Sequence, residues 1–585
     1  MLRNDYLIKR KFNAYIVPGV LMIMATQLGN IVDSILVSSF IDIDGMTAIS
    51  LSLPALYFMQ IIGYAVGVGG AVTISVMLGK RQIKEASGVF SVCLVADIGI
   101  SLIFTLTAPF TASPIAGMLA QTPRLEEMLL QYMYAYMLFA PLLNLSLLVS
   151  NVVTIDNCPK LGASCFIVGN IVNLSLDYIF LKYTDMGMFG AGLSTVLGYG
   201  FGNLVLIPYM LSKKRMLSIN LREGLRQLGR LWQVIKAGAS QMSYLIMLIL
   251  QYFVLNSFIQ SALGADHTAI YSVCMNSVEI VRLCIEGVIG IIQTIAGVLF
   301  GEKDYYGIRR LLRRTVIIVL IVVIILMCVF LIFPNLILTL FSFNKPDLYD
   351  DAALCVRMFS LSFIFFAANR IVQVYYQTIL ATTLATIDTV LQGFVFLLPF
   401  SLLFIGGFGI IGVSIAAAVT EALTFFAVCG YRIIRQKRGK LPQKGFLMIP
   451  DKDGDSLCDI TIKSTEEQAV EVSAQLIKCC EENGISGETA NIIGVAAEEL
   501  AVNIARYGYK KTKPSCIDIN LSNTDGKLIL RIRDDGVPFD PTEYRADESD
   551  EFLMSGIEMI RRITSNLSYA RVLNMNNTVI EVNNA

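Results

Sequence analysis

The sequence is poor in charge and has very little histidine or tryptophan. Only 16% of its 585 residues are Asp, Glu, Lys or Arg, and histidine and tryptophan occur once each. In soluble globular proteins about a quarter of the residues are charged. Hydrophobic residues make up 55% of this chain. Because so few charges cannot cover the surface of a soluble protein of this length, we expect most of the chain to lie in a lipid bilayer.

Two chemical signatures are also absent. No segment has the pattern GxxxxGK[ST], the phosphate-binding loop of ABC-type pumps, so that class of protein is excluded. The twelve cysteines are scattered, and Cys479 and Cys480 have no partner pair at zinc-ligand spacing. We therefore expect neither a disulfide framework nor a zinc site.

The charges that are present are unevenly distributed. Of the 46 acidic and 46 basic side chains, 24 acidic and only 14 basic ones follow residue 450. A basic first part and an acidic last part are typical of a membrane domain followed by a soluble domain. Nucleic acid is not an expected partner, because the tail is acidic and membrane topology accounts for the basic loops.

The first 435 residues contain twelve apolar runs, each long enough to cross a bilayer as a helix. Lipid offers no hydrogen-bond partners to the backbone, so the spans are predicted to be helical. Basic residues cluster in alternate loops, such as 80–84 and 309–314, which by the positive-inside rule places both termini in the cytoplasm. The predicted location is the plasma (inner) membrane of a prokaryote. The centres of the runs are Met24, Ile61, Ile98, Pro141, Ile171, Gly200, Leu248, Val281, Ile324, Phe365, Phe396 and Val419.

The two halves of this region are related. The segment LGKRQIKEASGVF follows the second span and LFGEKDYYGIRRLL follows the eighth, each with glycine, basic and acidic residues at the equivalent helix exit. Parallel repeats of this kind place a substrate site between two lobes. We predict six-helix lobes at 1–212 and 235–434, a basic inter-lobe loop at 213–234, a linker at 435–457 and a cytosolic domain at 458–585.

Four segments of the first half resemble the multidrug and toxic compound extrusion (MATE) family of transporters. They are NIVDSILVSSF, GVGGAVTISVMLGK, DNCPKLGASCFIVGNIVNLSLDYIFL and GMFGAGLSTVLGYG. The resemblance covers roughly residues 10–435. It implies a secondary efflux transporter that exchanges small organic compounds, expected to be cationic, for a proton or a sodium ion.

Several ionisable residues lie within the predicted spans, where a charge is costly and indicates function. Asn173 precedes Asp177 by one helical turn, so both point the same way. The resemblance implies that Asp33, Asn173, Asp177 and Thr195 line a polar pocket in the first lobe. In the second lobe Glu279 shares a helix face with Arg282 and Glu286. These three form either a structural ion-pair stripe or, through Glu279, a second cation site.

The tail from residue 458 has mixed helix and strand patterns, which predict an α+β sandwich. An amphipathic helix is predicted at 466–481, and a second one is capped by Thr489. The alternating runs CIDINLSN, KLILRIRDDG and TVIEVNN are predicted strands.

Three motifs of the tail carry chemistry. Glu499 and Asn503 share one helix face, where the amide oxygen can hold magnesium and the carboxylate can position a nucleophile. After a strand, Asp534 can accept a hydrogen bond from an adenine amino group, and Gly536 allows close backbone approach. Gly556 is predicted to open a helix whose free amides suit phosphate.

Together these motifs resemble the histidine-kinase-like ATPase fold, in the form found in anti-sigma-factor serine kinases. The resemblance implies ATP and magnesium as cofactors, with Glu499 as the catalytic base. Val537 and Glu558 depart from the family pattern, which leaves open whether ATP is hydrolysed, transferred or only bound. Since His267 is the only histidine, phosphorylation of a cytosolic histidine within the chain is excluded. The alternative function is a membrane-tethered serine/threonine kinase or regulator that acts on a cytosolic regulatory protein, with a transporter-like sensor.

Overall fold

The computed structural model describes most of the chain, and its contacts divide the chain into two compact units. The membrane unit comprises residues 15–302 and 311–447, and the C-terminal unit comprises residues 1–14, 303–310 and 448–585. Lys213, Lys214 and much of the predicted linker lie outside the described residues. The described residues are 3–41, 43–120, 122–212, 215–341, 343, 345–438, 446–449, 456–509, 515–524, 526–544 and 551–583.

The described residues up to Lys437 form helices joined by short loops, and no strand occurs among them. Two π-helical turns, Ile292–Ala296 and Leu391–Val395, interrupt the α-helices, and short 3₁₀ turns occur at Leu228–Arg230 and Pro346–Leu348. The α-helices are Tyr6–Phe40, Ile43–Gly79, Ile83–Leu119, Pro123–Leu138, Ala140–Ile155, Pro159–Tyr183, Gly187–Val205, Ile207–Leu211, Leu221–Arg226, Leu231–Leu263, Ala265–Ile291, Gly297–Gly301, Tyr305–Ile332, Pro334–Leu340, Tyr349–Ser360, Phe363–Thr378, Thr382–Val390, Leu397–Phe408 and Ile411–Lys437.

Among the described residues, eight helices are long and apolar enough to cross a bilayer, or eleven if each of three bent pairs is one span. These eleven contain eleven of the twelve predicted centres, and Met24 lies in the remaining helix, Tyr6–Phe40. The sharpest bend, 54°, separates Pro123–Leu138 from Ala140–Ile155. Pro141 stands at this break and lacks the N–H that would continue the helix. The predicted all-α polytopic class is confirmed.

Within the membrane unit, helices of the two halves approach closely where glycines meet. A Cβ atom added to Gly19 would lie 2.8 Å from the carbonyl oxygen of Gly287, and one added to Gly287 would lie 2.5 Å from the Cα of Val20. Only glycine permits such an approach of two backbones. The first helix therefore packs directly on the helix Ala265–Ile291.

The C-terminal unit contains a five-stranded antiparallel sheet. Its strands are β1 (Ser456–Lys463), β2 (Cys516–Thr524), β3 (Lys527–Asp534), β4 (Asn566–Val572) and β5 (Met575–Asn583), in the order β1-β2-β3-β5-β4. The helices of this unit are Glu466–Glu482, Gly487–Tyr507 and Glu551–Ile563. Sequence patterns predicted β2, β3 and β5 but missed β1 and β4.

Alternation along the strands gives this sheet two different faces. Ile460, Ile519 and Ile532 point to one face and join the apolar core with Leu476 and Leu500 of the helices. The residues between them form a polar face, on which the register pairs Thr461 with Asp518 and Asp518 with Arg533. The predicted α+β sandwich is confirmed.

Two local predictions were wrong. The helix Gly487–Tyr507 is capped by Ser486, whose side chain accepts a hydrogen bond from the Thr489 N–H, and not by Thr489. Gly556 does not open a helix but lies inside the helix Glu551–Ile563. The helix-forming residues before Gly556 outweigh the cost of about 1 kcal/mol that one glycine imposes.

Candidate functional site

Two carboxylic acids meet inside the first half of the membrane unit. Asp33 comes from the helix Tyr6–Phe40 and Asp177 from Pro159–Tyr183, and both side chains are buried. The two carboxyl groups lie in hydrogen-bonding contact. Two carboxyl groups can form such a bond only when one of them carries a proton, because two buried carboxylates repel each other.

Polar groups from two helices surround Asp177. Asn173 donates from Nδ2 to Asp177 Oδ2 at 2.9 Å and to Thr195 Oγ1 at 3.3 Å. Ser194 donates to Asp177 Oδ1. The structure thus brings together the four residues predicted in this lobe and adds Ser194. Its position directly before Thr195 was the only sequence signal that could have indicated it.

Two tyrosines also belong to this polar cluster, and the sequence analysis missed both. Tyr136 makes a side-chain hydrogen bond with Thr195, and the hydroxyl groups of Tyr132 and Tyr136 are 3.4 Å apart. Both tyrosines are buried on the helix Pro123–Leu138. The cluster therefore combines an acidic pair with hydroxyl groups, and these are donor and acceptor oxygens that suit a proton or a hard cation.

Glu279 lies apart from the acidic pair, among charges of the second half. Arg282 donates to Glu279 at 2.9 Å, and Arg370 binds Glu286 with two hydrogen bonds of 2.7 and 3.1 Å. The Nε2 of Gln27 donates to the other oxygen of Glu279 at 3.2 Å. Glu279, Arg282 and Glu286 thus belong to a paired network that includes two residues from other helices, Gln27 and Arg370.

A second acidic group, Glu421 and Asp388, lies in the same half. Glu421 accepts hydrogen bonds from Asn369 at 2.8 Å and from Gln392 at 2.8 and 3.0 Å. Gln392 stands in the π-helical turn Leu391–Val395, a deformation that is frequent at functional sites. Asp388 is fully buried, and within the described part of the chain its carboxylate oxygens have no hydrogen-bond partner.

The membrane unit also contains a partly open cavity of about 290 Å³. Both halves of the chain contribute to its wall, including Gln27 and Tyr64 from the first half and Arg282 and Arg370 from the second. Besides these polar and charged side chains, the wall includes apolar ones such as Met22 and Ile23. Such a cavity suits a small amphipathic molecule.

In the C-terminal unit, the predicted motifs occupy neighbouring elements. A Cβ atom added to Gly556 would touch the carboxylate of Glu499, so these two residues are in direct contact. Asn503 lies one turn beyond Glu499 on the same face of Gly487–Tyr507 and is half-buried. The structure therefore brings Glu499, Asn503 and Gly556 onto adjoining helices.

Asp534 is buried at the end of β3. Its Oδ1 accepts hydrogen bonds from the Gly536 N–H at 2.7 Å and from Asn576 Nδ2 at 2.9 Å. Burial raises the pKa of Asp534 to about 6, although these two hydrogen bonds oppose the shift. Sequence analysis missed Asn576, which also donates to the carbonyl of Val537 at 2.9 Å and thereby fixes the turn after Asp534.

Taken together, the chain is a polytopic helical membrane protein with a duplicated architecture and an appended α+β domain. The MatE family model matches residues 18–179 and again residues 242–403, and the two matches cover more than half of the chain. The chain belongs to the MatE family of multidrug and toxic compound extrusion transporters. Residues 462–582 match the model of the histidine kinase-like ATPase domain.

Curated relatives include proteins named "Multidrug export protein MepA". The one from Staphylococcus aureus (strain MRSA252) is 25% identical over 252 residues, which are 43% of this chain and 56% of the relative. The one from Staphylococcus saprophyticus is 23% identical over 383 residues, which are 65% of this chain and 84% of the relative. The first match thus spans little more than half of that relative's length.

Solved structures show the same membrane fold. An outward-facing multidrug resistance MATE family transporter of the MOP superfamily superposes with a TM-score of 0.68 at 17% identity, over 74% of this chain and 96% of that one. A structure of the MATE multidrug transporter DinF-BH gives a TM-score of 0.67 at 21% identity, over 74% of this chain and 97% of that one. At these identities the likeness establishes the fold alone.

Proposed function

We propose that this protein is a secondary transporter that exports small organic, cationic compounds in exchange for a proton or a sodium ion. The observation that carries the proposal is the buried contact between Asp33 and Asp177. A carboxyl pair that holds one proton keeps one negative charge, and this charge can bind one cation. Family membership and the multidrug export named for the relatives support the same function.

The proposed mechanism uses competition at this pair. When a cation enters, it neutralises the pair, and the hydrogen bonds from Asn173 and Ser194 orient Asp177. When the cation leaves, the singly protonated pair keeps one uncompensated negative charge in a medium of low dielectric constant, which is unfavourable until a cationic substrate or a second proton arrives. Because the coupling cation and the substrate occupy the pair in turn, the flux of the one is coupled to the flux of the other. Thr195 lines the same pocket, and Glu279 is the candidate for a second cation site in the other half.

The test is transport by Asp33→Asn and Asp177→Asn in proteoliposomes, driven either by a proton gradient alone or by a sodium gradient alone. We expect both variants to lose uphill export of a fluorescent organic cation and to retain downhill substrate exchange. Asp185→Asn is the matched control, since Asp185 is exposed. Uphill export by Asp33→Asn at the rate of this control would refute the coupling mechanism.

For the C-terminal domain we propose ATP binding with a regulatory role. Asp534 is the candidate acceptor for the adenine amino group, Gly536 provides close approach, and Asn503 is the candidate magnesium ligand. Glu499 is the candidate base, and Gly556 lies against it, next to the position expected for the phosphates. The test is magnesium-dependent ATP binding to the full-length protein and its Asn503→Ala variant. Equal affinity of the two proteins would contradict the assignment of Asn503.

The remaining topology follows from the charge pattern. We propose that both termini lie in the cytoplasm of a prokaryote, so that the ATP-binding domain reaches cytosolic ATP and a cytosolic regulatory protein. The proposed domain bounds are 1–212, 213–234, 235–434, 435–457 and 458–585. Membrane-impermeant labelling of single cysteines placed after Lys437 tests the orientation, and labelling from outside intact cells would contradict it.

A further inference from the structure

The polar face of the sheet in the C-terminal unit is occupied by the first residues of the chain. The Asn4 N–H donates to Thr461 Oγ1 on β1 at 3.0 Å. Lys11 Nζ donates to the carbonyl of Asn574, between β4 and β5, at 2.8 Å. Residues 3–11, called here the N-terminal segment, therefore cross the sheet from one edge strand towards the other.

A buried charge cluster holds the beginning of this segment. Arg3 forms two hydrogen bonds with Asp304, of 2.8 and 2.7 Å, and a third with Asp459 of 3.1 Å. Arg533 donates to the same Asp304 at 2.6 Å. The Arg3, Asp304 and Arg533 side chains are only 3%, 2% and 4% exposed. Asp304 comes from residues 303–310, so two separate pieces of the chain bind this face together.

The end of the segment contacts the nucleotide-binding motif itself. Arg10 Nη1 lies 2.8 Å from Asp535 Oδ2 and 3.1 Å from Ser515 Oγ. Asp535 stands between Asp534 and Gly536, and its side chain is 1% exposed. Arg10, together with Lys11 at 3.9 Å from the same oxygen, thus neutralises a buried carboxylate next to the residue proposed to bind adenine.

The other oxygen of Asp535 fixes the same turn to Tyr509, which follows the helix that carries Asn503, and to Ser515, which precedes β2. Asp535 Oδ1 accepts from Tyr509 at 3.1 Å and from Ser515 at 2.9 Å. The Tyr509 hydroxyl in turn accepts the Asp535 N–H at 3.0 Å. Without Arg10, Oδ2 of a buried carboxylate would lose its strongest partner, and the turn that holds Asp534 and Gly536 would relax.

We propose that Arg10 is a positioning residue of the nucleotide site, through which the N-terminal segment controls the affinity and base specificity for ATP. This inference rests on the proposed ATP binding. Arg10 and Asp33 are carried by the same helix, Tyr6–Phe40. The coupling is reciprocal. If nucleotide binding changes the free energy of the contact between Arg10 and Asp535, that contact changes the free energy of nucleotide binding by the same amount.

The experiment uses the full-length protein in nanodiscs. Dissociation constants for ATP and ITP with magnesium are measured by displacement of a trinitrophenyl-ATP probe for the wild type, Arg10→Gln and Arg10→Lys. ITP lacks the adenine amino group, so the ATP-to-ITP affinity ratio reports on the placement of Asp534. Lys9→Gln is the matched control, because Lys9 is the adjacent residue, is exposed like Arg10, and its replacement removes the same charge.

We expect Arg10→Gln to bind ATP about tenfold more weakly and to lose most of its preference for ATP over ITP. Arg10→Lys should recover part of both, and Lys9→Gln should match the wild type. A purely structural role would leave the ratio unchanged. Identical affinities and ratios for Arg10→Gln and Lys9→Gln would overturn this inference and leave ATP binding intact. Absence of ATP binding by the wild type would overturn the ATP binding proposed for the C-terminal domain and this inference with it.

Discussion

Arg3 and Asp304 form a bidentate pair although 301 positions of the chain separate them, with N–O distances of 2.8 and 2.7 Å. Asp304 also accepts the Arg533 guanidinium and the Gly307 N–H. Burial alone would raise the pKa of the Asp304 carboxyl, but Arg3 and Arg533 hold it well below its ordinary value. The carboxylate therefore stays ionised at neutral pH, and the cluster contributes stability that is lost only when the pH falls below about 4.

Asp304→Asn is expected to destabilise the C-terminal unit by about 3 kcal/mol, because it removes the carboxylate between two buried guanidinium groups. The measurement is hydrogen exchange of β1, β2 and β3 in the full-length protein, from which a local opening free energy follows. Arg506→Ala is the control in the same unit. Its pair with Glu466 at 2.9 Å is about half exposed on both sides, so we expect a change below about 1 kcal/mol. Equal protection in the two variants would contradict the importance of the cluster.

ATP binding is expected to weaken below pH 6. Since burial raises the pKa of Asp534 to about 6, its carboxylate is ionised above this pH and accepts the adenine amino group. Protonation at lower pH removes that acceptor, so the ATP-to-ITP affinity ratio should fall by about tenfold between pH 8 and pH 5. Both nucleotides carry the same triphosphate, so its titration changes both affinities equally and leaves their ratio unchanged. A ratio that stays constant over this range would argue against Asp534 as the adenine ligand.

Gly536→Ala is expected to abolish measurable ATP binding. A Cβ atom at this position would lie 2.5 Å from the carbonyl oxygen of Gly508 and 3.0 Å from its carbonyl carbon. Backbone atoms cannot rotate away, so the turn after β3 must shift and carry Asp534 with it. The control is Gly487→Ala, where an added Cβ atom meets nothing within 4 Å. Isothermal titration with ATP compares the two variants, and wild-type affinity in Gly536→Ala would show that the turn tolerates the displacement.

The sequence predicted those parts of the structure that local patterns determine. Apolar runs located the helices, and the spacing of Asn173 and Asp177 placed their side chains together before any fold was known. Alternation of apolar residues indicated β2 and β3 over their length, and in β5 it covers the end of the strand, where Ile580 and Val582 join the apolar core. β4 (Asn566–Val572) has the irregular run NLSYARV, in which only Ala570 and Val572 are fully buried, so its alternation is too weak to recognise.

Contacts between segments that are distant in the sequence could not be predicted from local patterns. The Ser194 contact with Asp177 depends on how Gly187–Val205 is rotated against Pro159–Tyr183, and a serine in a membrane helix is no signal by itself. In the sequence, Arg3 and Arg10 are basic residues ahead of the first apolar run, a pattern that membrane topology alone would explain. Only the fold reveals that the partners of these arginines are Asp304 and Asp535.

The close approach of Gly19 and Gly287 gives a prediction for transport. In Gly287→Ala, the new methyl group would lie 2.5 Å from the Cα and 2.8 Å from the N of Val20, so the helices Tyr6–Phe40 and Ala265–Ile291 must separate. Overpacking of this kind costs about 1–3 kcal/mol. This cost destabilises only those conformations in which the two helices are in contact. A transporter that alternates between conformations then loses the balance between them, and we expect export to slow by about tenfold or more. Initial export rates in proteoliposomes measure this, with Gly99→Ala as the control, because Gly99 has no neighbour within 4 Å of an added Cβ atom. Export by Gly287→Ala at the rate of Gly99→Ala would mean that this helix contact does not change during the transport cycle.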